Sequence, residues 1–128
     1  MASIVPYFGY RDAPAAIEFL VTAFGMERVN VVEEGDGLIA HAELRHGDGV
    51  VMLGSWLEGQ GEGTPIENAG TYLLVEDVDA HHAAAVDAGA EVVYGPQDTE
   101  FGTRRYRARD TEGYEWSFGT YSPGQSWS

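Results

Sequence analysis

The sequence predicts an α+β fold of two tandem βαβββ modules, and three observations carry that reading. A strand–helix–strand phrase occurs twice: Val5 to Asp12, a helical run over Ala13 to Phe24, then Gly25 to Val29; and again Gly70 to Asp77, a run over Val78 to Ala88, then Gly89 to Val93. Asp12 to Gly25 is thirteen residues and Asp77 to Gly89 is twelve, so one deletion registers the two halves. Each phrase is then followed by β-rich segments punctuated by Gly/Asp turns. A repeat of this kind sets architecture, because each copy is one supersecondary unit that buries its apolar face against a neighbour.

Taken in order, Ile4 to Tyr10 is rich in β-branched and aromatic residues and reads as a buried strand. Asp12 before Ala13-Pro14-Ala15-Ala16 is an N-cap with proline in the first turn. Ile17, Leu20, Val21 and Phe24 form the i, i+3, i+4, i+7 stripe of a helix that packs on one face, and Gly25 suits its left-handed end. Met26 to Glu33 is a strand, Glu34-Gly35-Asp36-Gly37 a hairpin turn and Leu38 to Arg45 the next strand. His46-Gly47-Asp48-Gly49 turns the chain into Val50 to Gly54. Residues 55–69 form a Gly/Glu-rich connector, long enough to be a linker or a functional loop. The second module follows as strand 71–75, a helix from about Val78 to Ala88, strand 90–94, loop 95–102, strand 103–109, turn Asp110 to Gly113 and strand 114–120. The tail from Ser122 reads as loose.

Residues 1–128 form a single domain on this reading, with modules of about 4–54 and 70–121. An apolar content of 44% with 12% aromatics is that of a folded chain rather than a disordered one. No apolar run approaches a membrane span, and no charged and apolar leader opens the chain, so no membrane partner is expected. Cysteine is absent, which removes disulfide and thiol chemistry and makes a cytoplasmic setting the default expectation. The net charge is −14, and all seven basic residues are arginine. Such a surface argues against nucleic acid as a partner and draws cationic ligands at long range.

Several phrases together resemble the vicinal-oxygen-chelate superfamily, which includes glyoxalase I, extradiol dioxygenases, fosfomycin resistance proteins and bleomycin resistance protein. They are Tyr10-Arg11-Asp12-Ala13-Pro14-Ala15-Ala16-Ile17-Glu18-Phe19 with Ala23-Phe24-Gly25; Val75-Glu76-Asp77-Val78-Asp79-Ala80 with Ala88-Gly89-Ala90; and Arg109-Asp110-Thr111-Glu112-Gly113-Tyr114, where Thr111 stands in place of the usual proline. The match covers residues 4–121 and is specific for the fold rather than for one function. It implies a curved mixed sheet around a cavity, helices on the convex face, and a homodimer with cavities shared between chains.

The superfamily's enzymes hold a divalent metal through His, Gln or Glu on the first and last strands of each module. Carried onto this chain by spacing, those positions are Val5, Met52 (or Leu53 without a gap), Gly70 and Ser117. None is an imidazole or a carboxylate, which a divalent ion of this kind requires. The expectation is therefore no metal, no other cofactor and no catalytic residue. His41 and Glu43 share a strand face, His81-His82 read as helix surface and His46 as a turn residue. Gly59 to Gly63 lacks the lysine of a phosphate loop.

Strand alternation places Tyr7, Gly9, Tyr72, Leu74, Val50, Gly54, Glu115 and Gly119 on the same face as those four positions, with Phe8, Leu73, Trp116 and Phe118 opposite. Pairing Gly49 with Gly113 sets Arg105 and Arg107 in register with His41 and Glu43. The implied site binds a small molecule through Tyr7, Met52, Tyr72, Leu74, Arg105 and Glu115, with Trp56 and Phe101 closing over it. Metal-independent binding of a cationic or aromatic organic compound, such as an antibiotic to be sequestered, is the leading function. A lyase or dioxygenase with a displaced site using His41, Glu43 and Glu115, a general-base enzyme using Glu43 or Glu115, and a non-catalytic accessory module are the alternatives.

Overall fold

Two aspartates start the two helices. Asp12 Oδ1 accepts a hydrogen bond from the Ala15 amide at 3.1 Å, and Asp77 Oδ1 accepts one from the Ala80 amide at 3.0 Å. Each cap satisfies an amide that the helix itself leaves without a partner. A computed structural model describes residues 3–56 and 69–124. It contains β1 (Tyr7–Tyr10), α1 (Ala13–Phe24), β2 (Glu27–Glu33), β3 (Ile39–His46), β4 (Gly49–Ser55), β5 (Thr71–Leu74), α2 (Val78–Asp87), β6 (Glu91–Asp98), β7 (Arg104–Arg109) and β8 (Glu115–Gly119). The Gly59–Gly63 segment, and the connector reading apart from Ser55, Trp56 and Ala69, lie outside the described residues, as does the tail from residue 125.

The strands form two four-stranded sheets of identical order, β1-β4-β3-β2 and β5-β8-β7-β6. In each, the first strand runs parallel to the last, and the remaining pairs are antiparallel. Two boundaries differ from the sequence reading. β1 begins at Tyr7 rather than Ile4, because it lies at the sheet edge among the described residues and its ladder with β4 pairs Tyr7 to Tyr10. β6 runs on to Asp98 through Gly95 and Pro96. Proline is tolerated there because β6 is also an edge, and register shifts relieve the ladder.

The buried faces of both sheets share one core. Leu44, Val51 and Leu53 from the first sheet cluster with Tyr106, Trp116 and Phe118 from the second, and with Ile17, Leu20 and Phe24 of α1. Phe24 is the link: its ring lies 4.8 Å from Phe118 and 5.9 Å from Trp116. Asp110 ties the modules by hydrogen bonds. Its buried carboxylate accepts from Tyr10 Oη at 2.6 Å and from Trp116 Nε1 at 3.0 Å, and from the Glu112 and Tyr114 amides. Burial pushes this carboxyl's pKa up, and the four donors pull it back. The Tyr114 hydroxyl donates to the Gly9 carbonyl, and Glu112 accepts from the Arg11 and Asp12 amides.

The reading of His81 and His82 as helix surface is corrected here. His81 is half-buried at the junction, with Nε2 2.8 Å from the Phe24 carbonyl and Nδ1 against the Tyr106 hydroxyl. His82 is half-buried with its ring edge-on to Tyr106. The helix stripe did not reveal this, because the partners are distant in sequence: Phe24 belongs to the first module and Tyr106 to β7. His46 likewise reaches across, with Nε2 2.7 Å from the Leu74 carbonyl. Since the buried sheet faces and the helices share the core, the opposite faces of both sheets turn away from it. These faces hold the candidate site.

Candidate functional site

Register builds the same row of four side chains on each outward face. In the first sheet Tyr7 pairs with Met52, Met52 with Glu43 and Glu43 with Asn30. In the second Tyr72 pairs with Ser117, Ser117 with Arg107 and Arg107 with Tyr94. The correspondence extends to the glycines beneath the tyrosines. A Cβ on Gly54 would lie 3.3 Å from the Tyr7 hydroxyl, and one on Gly119 2.8 Å from the Tyr72 hydroxyl. Each hydroxyl therefore lies over a glycine, where a methyl group would crowd Tyr72 severely and Tyr7 slightly.

The first row is acidic. Glu43 accepts from Asn30 Nδ2 at 2.8 Å, and its other oxygen lies 2.8 Å from His41 Nε2. The His41 bond, followed by the Asn30 bond, holds the Glu43 pKa below the usual carboxylate range. The second row is basic. Arg107 donates through Nε to Ser117 Oγ at 2.8 Å and reaches Glu115 at 3.4 Å, while Arg109 holds Glu115 at 3.0 Å. Arg105 and Arg107 each place a guanidinium 5.7 Å from the Tyr94 ring centroid. Around them opens a cavity of about 240 Å³ lined by Gly70, Thr71, Tyr72, Tyr94, Arg105, Arg107 and Ser117.

The eight residues expected at the site are thus distributed rather than gathered. Tyr72 and Arg105 line this cavity. Glu115 lies behind it, half-buried and paired with Arg107 and Arg109. Leu74 follows Tyr72 on the same face and is exposed. Tyr7, 61% exposed, and half-buried Met52 sit on the other sheet. Trp56 is half-buried beyond β4 under the Arg11 guanidinium, 5.8 Å from its ring. Phe101 is 80% exposed at the β6–β7 connection, outside the cavity lining.

Tyr94 and Thr71 were not among the residues expected. Tyr94 faces the cavity because the β6 register shifts between Val92 and Tyr94, and a shift of this kind breaks the alternation that assigns faces from sequence. A lone aromatic in an edge strand is the only signal that could have marked it.

Of the four positions that the resemblance assigns to a metal, Met52 and Ser117 stand on the last strand of each module, whereas Val5 and Gly70 precede the first strands, β1 and β5. Val5 and Gly70 stand two residues before the paired tyrosines Tyr7 and Tyr72, while Met52 and Ser117 are those tyrosines' ladder partners. A thioether, a hydroxyl and two residues without a donor side chain do not fit a divalent cation. Among the described residues, no three His, Cys, Asp or Glu side chains gather into a group able to hold one.

The family model for the Glyoxalase/Bleomycin resistance protein/Dioxygenase superfamily matches residues 5–118. An uncharacterized protein of Mycobacterium bovis is 36% identical over 124 residues, covering 91% of this chain and 82% of that protein. The crystal structure of TioX from Micromonospora sp. ML1 is 31% identical, with a TM-score of 0.74 over 98% of this chain and 100% of that one. Fosfomycin resistance protein FosX from Mesorhizobium loti shares the fold, with a TM-score of 0.66 at 17% identity over 96% of this chain and 95% of that one.

Proposed function

Because the chain belongs to the glyoxalase/bleomycin resistance protein/dioxygenase superfamily and carries no imidazole or carboxylate at that superfamily's metal positions, we propose that it binds a small organic compound without a metal, and does so as a homodimer. The observation that carries this reading is the pair of outward sheet faces. Each presents a tyrosine row with a polar centre, and Tyr7, Tyr72 and Leu74 remain 61%, 38% and 46% exposed. Small-molecule sites combine apolar and aromatic walls with a few convergent polar groups, and commonly enclose about 300–1,000 Å³. One face with its 240 Å³ hollow is a part of such a site. A second copy packed over this face would enlarge and close it.

Sequestration, as in the resistance proteins for which the superfamily is named, is the mode of action this supports. A general base works best when its pKa is raised toward neutrality. Glu43, held low by its hydrogen bonds, is poorly suited to that task. The absence of cysteine accords with a cytoplasmic setting, and no helix among the described residues is long and apolar enough to cross a membrane.

The test is the unfolding midpoint against a panel of divalent metals, a chelator and planar organic compounds of either charge. A ligand that binds only the folded chain stabilises it by about 2.7 kcal/mol at a hundredfold excess over Kd. A shift with an organic compound, unaltered by chelator and reduced in Tyr72→Ala, is the expected result. A shift produced by a metal alone would replace this reading with a metalloenzyme one. Light scattering in solution tests the dimer, and a monomer at micromolar concentration would remove it.

A further inference from the structure

Four arginines, Arg28, Arg104, Arg107 and Arg109, are held by carboxylates. Arg105, like Arg11 and Arg45, has no ion pair among the described residues, and its guanidinium rests over the Tyr94 ring. Alternation on β7 explains its direction. Tyr106 and Ala108 are fully buried in the core, so Arg105 and Arg107 project together from the opposite face, into the cavity.

Among the described residues, the cavity lining contains two guanidinium groups and no carboxylate. Its walls are aromatic at both ends of the row, Tyr72 on β5 and Tyr94 on β6, with the hydroxyl of Ser117 between and Thr71 adding to the β5 wall. Gly70 adds no side chain, and a Cβ there would meet the Glu115 carbonyl oxygen at 3.1 Å, so the backbone itself forms that part of the wall. Arg107 is steadied by Ser117 and shares Glu115 with Arg109, which leaves Arg105 as the open cation.

We propose that this cavity binds the anionic group of a small planar aromatic acid, with Arg105 as the principal anion contact, Arg107 as its support and the two tyrosines against the ring. The inference rests on the small-molecule reading above and gives the ligand's charge. It reverses the preference that net charge alone suggests. Surface acids act through salt water with a screening length of about 8 Å, whereas an anion inside the cavity touches the guanidinium directly. Guanidinium recognises a carboxylate through a planar, two-pronged pair of charge-assisted hydrogen bonds, a geometry an ammonium or amide ligand does not offer. The hollow is small by the standard of drug-sized sites, which suits a one- or two-ring acid.

Calorimetric titration of the full chain with three isosteric probes decides it: 2-naphthoate, 2-naphthamide and 2-naphthylmethylamine. The naphthoate is expected to bind at least tenfold tighter than the other two. Arg105→Gln should remove on the order of tenfold of that affinity and leave the amide's unchanged, while Arg28→Gln, on the far edge of the first sheet, should change neither. Amine or amide binding as tight as naphthoate would overturn the anion inference and leave the small-molecule reading intact. Undiminished naphthoate binding by Arg105→Gln would overturn the assignment of Arg105. Silence from all three probes at millimolar concentration overturns the inference as well, and the small-molecule reading is then judged separately by the wider panel.

Discussion

The two modules share one frame and differ in what they put on it. Topology, caps and the tyrosine-over-glycine pair are common to both, so a single βαβββ plan governs the backbone. The polar centres are opposite in sign: Glu43 with His41 in the first module, Arg107 with Arg105 in the second. The helices also differ. α1 buries Ala13, Ala16, Ile17, Leu20, Ala23 and Phe24, whereas α2 buries only Val78 and Ala85. The position before the closing glycine is Phe24 in α1 and Ala88 after α2, and only the phenylalanine is long enough to enter the neighbouring module's core. Duplication thus supplies a symmetric scaffold. Departures from symmetry supply both the lock between modules and the chemistry of the outward faces.

Removing the lock has the largest expected effect. Phe24→Ala leaves a void against Trp116, Phe118 and Phe19, and is expected to cost about 3–5 kcal/mol in a urea titration. A loss below 1 kcal/mol would mean that the modules hold together without it. The glycine pair sharpens the comparison next. Gly119→Ala forces its methyl against the Tyr72 hydroxyl at 2.8 Å and the Arg104 carbonyl at 3.1 Å, whereas Gly54→Ala meets the Ala40 carbonyl at 3.2 Å and the Tyr7 hydroxyl at 3.3 Å. The first should cost about 2 kcal/mol and the second less, on the scale of overpacking. Gly119→Ala should also dislodge the Tyr72 hydroxyl from the Tyr121 carbonyl, and so weaken ligand binding, where Gly54→Ala does not. Equal costs at both sites would show that the second sheet is no tighter than the first.

The smallest effect is pH-dependent. Burial lowers the His81 pKa, so the folded chain holds that proton less tightly than the unfolded chain does. Stability from this group is therefore complete above the unfolded histidine value of about 6.5, and is lost as pH falls through the lower folded value. His81→Gln keeps a donor for the Phe24 carbonyl without titrating, and should flatten the slope of stability below pH 6.5. An unchanged slope would place the acid sensitivity elsewhere.

Legibility followed the range of the forces involved. Helix starts, turns and the buried stripe of α1 depend on neighbours within a few positions, and Asp12, Gly25, Ile17 and Leu20 announced them. Alternation assigned Leu73, Trp116 and Phe118 to the core and Tyr7, Tyr72 and Ser117 to the outward faces, because short unbroken strands keep a strict period of two. It could not have placed Tyr94, which lies beyond a register shift. The helix pattern likewise said nothing of His81, whose partners lie 57 and 25 positions away in the chain.

By itself, then, the sequence determined the repeat, the order of strands and helices, the acidic surface and the poverty of donors at Val5, Met52, Gly70 and Ser117. These are local or compositional properties that no packing can alter. Only the tertiary structure decided that the two sheets turn their tyrosine faces away from a shared core, that Asp110 and His81 lock the modules, and that Arg105 stands without a carboxylate beside Tyr94. Each of these depends on which distant side chains meet, and burial and charge pairing are settled only when the chain has closed on itself.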